Sequence, residues 1–343
     1  MKIILAGYQP VSIIHGGPRV QIMQTKNELE RLGVDVELFD PWKHYSTTEK
    51  LRFHIFAANI GTYHTAKILD SYRIPFVVSP IFFTRHSPSA IRTTIAATNW
   101  VRKIKPAVWT GYEITREICD LSAAVLPNTT DEGRLISEGM NIESKKIHIV
   151  PNGVEARFEH GDPSLFKKKY GMENFILNVG HIGPKRKNVL NLIRALKQID
   201  HPSVIIGKVA EGTLGQQCVE EAKANKNVLI IPGLENNSEM LASAYAACDV
   251  FALPSMFETP GIAALEAGLA GAKIVITPFG GTKDYFETMA EYVDPYDIAS
   301  ISNGIQSALN KKKNSVLQHH IKKEFLWNKV AEKTLSVYNQ VFA

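Results

Sequence analysis

The sequence has little that a secreted or membrane-spanning protein needs. Its 343 residues include only three cysteines, which lie far apart in no metal-binding spacing, at Cys119, Cys218 and Cys248. Reduced thiols of a cytoplasmic protein are the simplest interpretation. No apolar run approaches the about 20 residues that a membrane span requires. The start, MKIILAGYQP, is typical of a first buried strand rather than of a signal peptide.

Strong charge and a dinucleotide signature are also missing. The formal net charge of +5 is mild and fits anionic ligands or a membrane surface without requiring either. The first apolar run is followed by AGYQPVSIIHGG, which contains no G-x-G-x-x-G. Its absence argues against an oxidoreductase that uses a dinucleotide. We expect no nucleic-acid partner.

One segment is locally basic. Between Thr84 and Tyr112 no acidic residue occurs, and apolar side chains are interleaved with five basic ones, namely Arg85, Arg92, Arg102, Lys103 and Lys105. Such a stretch predicts a membrane-surface or acceptor-binding element. A solvated basic face is the open alternative.

Short apolar runs alternate with helix-like segments along the chain. The predicted strands are KIILAG, VDVELF, FHIFAAN, PFVVSP, AAVLP, IHIVP, FILNVG, SVIIGK, NVLIIPG, VFALPS and KIVITP. This alternation predicts an α/β protein with two doubly wound, Rossmann-like parallel-sheet domains facing across a cleft. A turn-rich segment at 151–172 marks the linker. We expect an N-terminal domain at 1–155, a C-terminal domain at 156–320, and a helix at 321–343 that packs back toward the N-terminal domain.

The stretch PSMFETPGIAALEAGLAG, at 254–271, places two glutamates in an apolar setting. The pattern predicts a buried helix with Thr259 as its N-cap and Pro260 at its first position. The N–H groups at such a helix start can bind an anion. Glu266 lies within the helix, where a buried carboxylate needs donors such as the two hydroxyls of a ribose. Alternatively, Glu266 pairs with a buried Lys or Arg, and Glu258 is a solvated loop residue.

This stretch resembles the E-x7-E motif of the retaining GT-B glycosyltransferases, a large family that includes sucrose synthases and bacterial mannosyl- and glucosyltransferases. Further segments are similar to that family in the same order: GGPRVQIMQTKNELERLGVDVELF, IVPNGV, LNVGHIGPKRKNVLNLIRAL, NVLIIPGLENNSEMLASAYAACDVFALPS and GGTKDYFETMAEYVDPYDI. The similarity covers nearly all of the second half and is looser in the first. It implies a GT-B fold and the transfer of a sugar, with retention, from a nucleotide diphosphate sugar to an acceptor hydroxyl.

The resemblance also implies residue roles. Catalytic roles fall on Glu258, Lys187 and Arg186, with Glu258 on a sugar hydroxyl and the two cations on the leaving diphosphate. Donor-binding roles fall on Glu266, which would hold the ribose, and on Gly261, Ile262, Pro260, Thr259, His181, Gly16, Gly17, Gly207, Lys208, Gly233 and Leu234. At the position of His181 the family typically has an arginine. This departure leaves Arg186 to supply the guanidinium, or else weakens phosphate binding.

The acceptor side is expected in the first half. Many family members place a histidine of the first domain near the donor sugar, and the candidates are His86, which we favour, His54 and His64. A structural role is the alternative for each. The resemblance fits a carbohydrate or lipid-linked acceptor in surface polysaccharide or glycolipid synthesis, in the cytoplasm or at the inner face of the membrane through 84–112.

No metal and no cofactor besides the nucleotide sugar are expected. The sequence contains no Asp-x-Asp triplet, which supplies a metal ligand for diphosphates in the other main glycosyltransferase fold. Two further functions stay open on the same fold. One is a nucleotide-sugar epimerase or a phosphorylase, for which no specific segment is present. The other is a non-catalytic nucleotide-sugar binder, which the replaced phosphate contact at His181 would suit.

Overall fold

A computed structural model describes residues 1–13, 16–46, 50–105 and 108–343 of the chain. The chain divides into two compact units. Unit 1 comprises Met1–Gly153 and Trp327–Ala343, and unit 2 comprises Val154–Leu326. Among the described residues, no helix has both the length and the apolar character that a membrane crossing requires.

Unit 1 contains one parallel sheet with helices on both faces. Its strands are β1 (Lys2–Gly7), β2 (Asp35–Leu38), β3 (Phe53–Phe56), β4 (Phe76–Ser79) and β5 (Ala124–Val125). They pair in the order β2-β1-β3-β4-β5. The helices are α1 (Gly17–Arg31), α2 (Ile60–Ser71), α3 (Pro88–Arg102), α4 (Gly111–Leu121) and α5 (Thr130–Arg134).

Side chains alternate between the two faces along each strand, and helices cover both faces, so the strands are buried on both sides. In β1, Ile4 and Ala6 enter a core with Ile91 and Ile118 from the helices on one face. Ile3 and Leu5 enter a second core with Ile22, Trp327 and Tyr338 on the other face. Near-continuous apolar strands are therefore the expected pattern for this sheet, as the sequence shows.

Unit 2 repeats this architecture with six strands and eight helices among its described elements. In chain order these are α6 (Pro163–Tyr170), β6 (Ile176–Val179), α7 (Val189–Leu196), β7 (Ser203–Ile206), α8 (Thr213–Lys223), β8 (Val228–Ile231), α9 (Glu239–Ala247), β9 (Val250–Leu253), α10 (Ile262–Leu269), β10 (Lys273–Ile276), α11 (Thr282–Phe286), β11 (Ala290–Tyr292), α12 (Ile298–Asn310) and α13 (Val316–Glu324). The parallel order is β11-β10-β9-β6-β7-β8. The prediction of two doubly wound parallel sheets is confirmed.

The last helix, α14 (Trp327–Val341), belongs to unit 1. Its buried face, which includes Trp327, Val330 and Tyr338, joins the core beneath β1. Trp327 lies so close to Gly153 that a Cβ atom there would come within 2.5 Å of the indole ring. A side chain at position 153 would therefore displace the start of α14.

Candidate functional site

The site in unit 2 lies where the strand order reverses. β6 is the first strand of this sheet, and its neighbours are β7 on one side and the later strand β9 on the other. In such sheets, ligands bind in the crevice beyond the carboxyl ends of the strands at this point. Backbone pairing between β6 and β9 is recorded at Ile176 and Leu177. Beyond it, the Asn178 side chain donates to the Ala252 carbonyl at 2.7 Å and bridges the two strands.

The loops that follow β6 and β9 are tied to each other. Asn188, which is buried and has a left-handed φ of 57°, ends the loop after β6. Its side-chain amide donates to the carbonyls of Pro254, at 2.8 Å, and Pro295, at 2.7 Å. The Met256 N–H donates to the Arg186 carbonyl at 2.8 Å. These bonds hold the 185–188 turn against the loop that carries Glu258.

Glu258 is buried and ion-paired. Its Oε1 atom lies 2.7 Å from the Lys187 ammonium and 3.3 Å from the Arg186 guanidinium. Burial alone would raise the pKa of Glu258, but the two neighbouring cations outweigh it and hold this pKa below its usual range. The interpretation of Glu258 as a solvated loop residue is therefore wrong.

The helix that follows begins later than expected. α10 starts at Ile262, and Gly261 is its N-cap with a φ of 85° and no side-chain cap. Thr259 is therefore not the N-cap, and Pro260, joined to it by a cis peptide bond, is not the first helical residue. The neighbouring loop holds the chain before the helix, because the Glu258 N–H donates to the Phe279 carbonyl at 3.0 Å.

No side chain caps the start of α10. The Ala264 N–H donates to the Gly261 carbonyl at 2.8 Å, and the N–H groups before it precede the intrahelical hydrogen bonds. Glu258 and its two cations lie directly before this end. The arrangement places two cations and a helix N-terminus together, which is the combination that binds phosphate groups.

Glu266 is buried within α10 and hydrogen-bonded by a tyrosine. The Tyr245 hydroxyl donates to its Oε2 atom at 2.7 Å. Burial raises the pKa of Glu266 to about 7, although Tyr245, Arg157 and Asn236 favour the charged form. This short side-chain hydrogen bond thus comes from a neutral hydroxyl and not from the buried Lys or Arg of the alternative interpretation. Burial thus favours the protonated form of Glu266 relative to a carboxyl group in water.

The remaining candidates of unit 2 lie at the same edge of the sheet. His181 is exposed and directly follows Gly180 at the end of β6. Gly207 follows β7 and packs so closely that a Cβ atom would lie 1.8 Å from the Gly180 carbonyl oxygen. Gly233, after β8, would place a Cβ atom 3.7 Å from the Lys208 nitrogen. The loops that hold Gly207, Lys208, Gly233 and Leu234 are therefore neighbours beside His181.

In unit 1, the predicted glycines begin a helix. Gly16 is the N-cap of α1 without a side-chain cap, and Gly17 is its first residue. They follow β1, which pairs with β2 and with the later strand β3, so the strand order also reverses here. The start of α1 thus occupies the position in unit 1 that the 185–188 turn occupies in unit 2.

The three candidate histidines differ sharply in environment. His54 is buried on β3, with its ring nitrogens hydrogen-bonded to Tyr338 at 2.6 Å and Ser79 at 2.9 Å. Burial lowers the pKa of His54 to about 3, so its ring is neutral. His64 is exposed on α2, and His86 is exposed just before α3. Only His54 among the three has the contacts of a structural core residue.

The basic segment 84–112 contains the whole of α3 and the start of α4, with Pro106 and Ala107 outside the described residues. Trp100 and Ile104 expose 65% and 67% of their surface beside Lys103 and Lys105, which are also exposed. Arg102 is partly neutralised, because it pairs with Glu113 at 3.1 Å. The exposed part of the segment therefore combines an aromatic and an aliphatic side chain with two lysines.

Several site residues escaped the sequence argument. Asn188 and Tyr245 act through hydrogen bonds to other segments, and Tyr245 looked like an ordinary core position of α9. Gly280, in the loop after β10, would place a Cβ atom 2.4 Å from the Glu258 carbonyl oxygen. Only the paired glycines of PFGGTK hinted at such a close approach.

A second buried carboxylate in unit 1 was also missed. The Glu132 carboxylate accepts hydrogen bonds from the N–H groups of Phe82 and Asn128, both at 2.7 Å. It thereby joins the loops after β4 and β5, including Ile81 with its unusual φ of 51°. Burial raises the pKa of Glu132 to about 7.

Comparison with known proteins agrees with this geometry. The fold is that of the GT-B glycosyltransferases. It superposes with a TM-score of 0.72 on sucrose-phosphate synthase from Thermosynechococcus elongatus, at 16% identity over 99% of both chains. The Anabaena protein HepE, solved in complex with UDP-glucose, gives a TM-score of 0.70 at 15% identity over 99% of this chain and 100% of that one.

The second unit also matches a family model. Residues 164–324 match the model of the family glycosyl transferases group 1. A D-inositol 3-phosphate glycosyltransferase from Mycobacteroides abscessus is 27% identical over 212 residues, which cover 59% of this chain and 46% of the relative. The chain thus spans about half the length of this curated relative.

Proposed function

We propose that the chain is a retaining glycosyltransferase that moves a sugar from a nucleotide diphosphate sugar to an acceptor hydroxyl, in the synthesis of a surface polysaccharide or glycolipid. The observation that carries this proposal is the cluster of Lys187, Arg186 and Glu258 at the open start of α10, with Glu266 further along the same helix. The UDP-glucose complex of the Anabaena neighbour supports this class of donor.

Each group has a role in this proposal. The diphosphate binds at the start of α10, where Gly261 and Ile262 present N–H groups and Lys187 and Arg186 supply positive charge. Lys187 has three N–H donors, so it can keep its bond to Glu258 and reach a phosphate with another. Glu258 accepts from a hydroxyl of the donor sugar, and Glu266 accepts from the ribose.

The chemistry is then electrostatic. Negative charge grows on the diphosphate as the bond to the sugar breaks, and preorganised cations and N–H groups stabilise it. The acceptor oxygen attacks from the face that the diphosphate leaves, and a leaving phosphate oxygen takes the acceptor's proton. With two cations and a helix N-terminus on the diphosphate, we propose that no metal is required.

Donor binding tests the assignment directly. UDP, GDP and ADP are titrated calorimetrically without metal, with NAD as a control ligand. We expect one diphosphate to bind, and Glu266→Ala to weaken it at least about thirtyfold, since about 2 kcal/mol is typical for losing a charged hydrogen-bond partner. Glu239→Ala, which removes an exposed glutamate of α9, should bind as the wild type does. If none of the three diphosphates bound, the proposed donor function would be refuted and only the fold assignment would remain.

We place the acceptor, a carbohydrate or a lipid-linked sugar, on unit 1. His86 is the preferred histidine because it is exposed and lies in the segment between β4 and α3. Its Nδ1 atom is hydrogen-bonded to the Tyr112 hydroxyl at 2.7 Å, which orients the ring. His64 is exposed as well, whereas both ring nitrogens of His54 are already hydrogen-bonded.

We propose further that segment 84–112 contacts the inner face of an anionic membrane. Reversing two charges, Lys103→Glu with Lys105→Glu, should lower the fraction bound to phosphatidylglycerol vesicles about tenfold or more, because each cation near such a surface contributes about 1 kcal/mol. Sedimentation at low salt measures this. The matched control is Lys168→Glu with Lys169→Glu on the exposed face of α6. Equal losses in both double variants, or no binding by the wild type, would remove the membrane contact.

A further inference from the structure

The packing around Tyr245 directs its hydroxyl at Glu266. It lies on α9 and is fully buried, and its ring packs against Phe158 and Phe251 with centroids 5.4 Å and 5.8 Å away. Rings on two sides restrict how far the tyrosine can turn. The hydroxyl therefore keeps its 2.7 Å bond to the Glu266 Oε2 atom and fixes the orientation of the carboxyl group.

Three segments present polar or charged groups to Glu266. α9 supplies Tyr245, the loop after β8 supplies Asn236, and the chain before and within the short turn at 156–160 supplies Glu155 and Arg157. Arg157 directs its guanidinium at these neighbours, since it donates to the Asn236 Oδ1 atom at 3.2 Å and to Glu155 at 3.4 Å. α10 itself, IAALEAGL, has no other charged residue. Glu266 thus lies in an apolar helix with a neutral hydroxyl as its short hydrogen-bond partner.

We propose, on the basis of the donor function above, that Tyr245 is a positioning residue which holds Glu266 for the nucleotide ribose, and that ribose binding expels a proton from Glu266 into the solvent. A carboxylate offers about four lone-pair positions. Two ribose hydroxyls can therefore donate to it while the Tyr245 hydroxyl stays in place. A protonated carboxyl group accepts less well, so the ribose selects the charged form.

The direction of the pH dependence follows from this exchange. Burial raises the pKa of Glu266 in the free protein to about 7, and hydrogen bonds from the ribose favour the charged form and lower this pKa. Below pH 7 the bound ribose must first displace the proton. Affinity should therefore fall about tenfold for each pH unit below 7 and level off above it.

Proton release can be counted by calorimetry in two buffers of different ionisation enthalpy. The probes are UDP-glucose, GDP-mannose and ADP-glucose, whose diphosphates stay fully ionised across this range. With a carboxyl group of pKa about 7, we expect about 0.9 proton released per bound ligand at pH 6 and about 0.1 at pH 8. Glu266→Gln should release none at either pH. Binding by the wild type without proton release would overturn the inference and leave the donor function intact, whereas no binding of any probe would overturn both.

Tyr245→Phe separates positioning from packing. It removes one hydrogen bond that favours the charged carboxylate, so the pH midpoint of proton release should rise by about one unit. Tyr285→Phe is the control, because Tyr285 is equally buried in unit 2 and packs against Phe325. A midpoint that stays in place in Tyr245→Phe, or moves equally in Tyr285→Phe, would refute the role of Tyr245.

Discussion

Lys187→Ala is expected to lower turnover about a hundredfold to a thousandfold, the usual effect of removing one preorganised charge-stabilising donor from an active site. The side chain of Lys187 is only 20% exposed, and its ammonium is held 2.7 Å from Glu258 at the start of α10. Water cannot replace a fixed cation there at equal strength. The measurement is the initial rate of nucleoside diphosphate release from the donor, with the acceptor that the wild type uses.

A matched control lies two residues away. Lys185 belongs to the same basic turn but is exposed, so Lys185→Ala should stay within about twofold of the wild-type rate, as is usual where no buried charge pair is broken. Equal rates in Lys185→Ala and Lys187→Ala would assign the diphosphate charge to other groups. Thermal unfolding of both variants shows whether the fold persists.

Glu258→Ala tests the other half of the pair. It removes the acceptor that we assign to a donor-sugar hydroxyl and leaves Lys187 and Arg186 without their carboxylate. Turnover should fall by orders of magnitude, whereas binding of the bare nucleoside diphosphate, which has no sugar, should persist. Normal transfer rates in this variant would contradict our assignment of the site.

Most of the fold could be predicted because parallel strands that are buried on both faces consist of nearly continuous apolar residues. Ten of the eleven predicted runs contain strands. IHIVP was wrong, since only an isolated bridge links Ile147 to Val125. Its N–H groups donate to the Val125 carbonyl of β5 at 2.9 Å and to the Pro127 carbonyl at 3.0 Å, but proline has no N–H to return a bond. β11 was missed because it is a three-residue edge strand, AEY, without an apolar run.

The site was harder to predict from the sequence because it depends on contacts between loops that lie far apart in the chain. The two glutamates and the basic turn were visible as unusual local patterns. The late start of α10 was not, because Thr259 and Pro260 have strong local preferences for a helix start that contacts with Phe279 and Gly280 override. Tyr245 could not be distinguished from core residues, since its hydroxyl acquires a role only when α9 packs beside α10.

Gly207→Ala is expected to lower the free energy of unfolding of unit 2 by about 4 kcal/mol, within the range of substitutions with a severe steric cause. A Cβ atom would lie 1.8 Å from the Gly180 carbonyl oxygen and 2.7 Å from its carbonyl carbon, and these are backbone atoms rather than a flexible side chain that could move. The unfolding midpoint in scanning calorimetry should fall by about 10 °C.

The control for this variant should have the opposite sign. Gly111 begins α4, and a Cβ atom there meets nothing within 4 Å, so Gly111→Ala should be neutral or stabilising by up to about 1 kcal/mol. An unchanged midpoint in Gly207→Ala would mean that the ends of β6 and β7 can separate at little cost. The loops with His181 and Lys208 would then be held less firmly than their contacts indicate. A large loss of unfolding free energy would show that position 207 requires glycine because the ends of β6 and β7 are in contact. The sequence around residue 207 alone does not contain this contact.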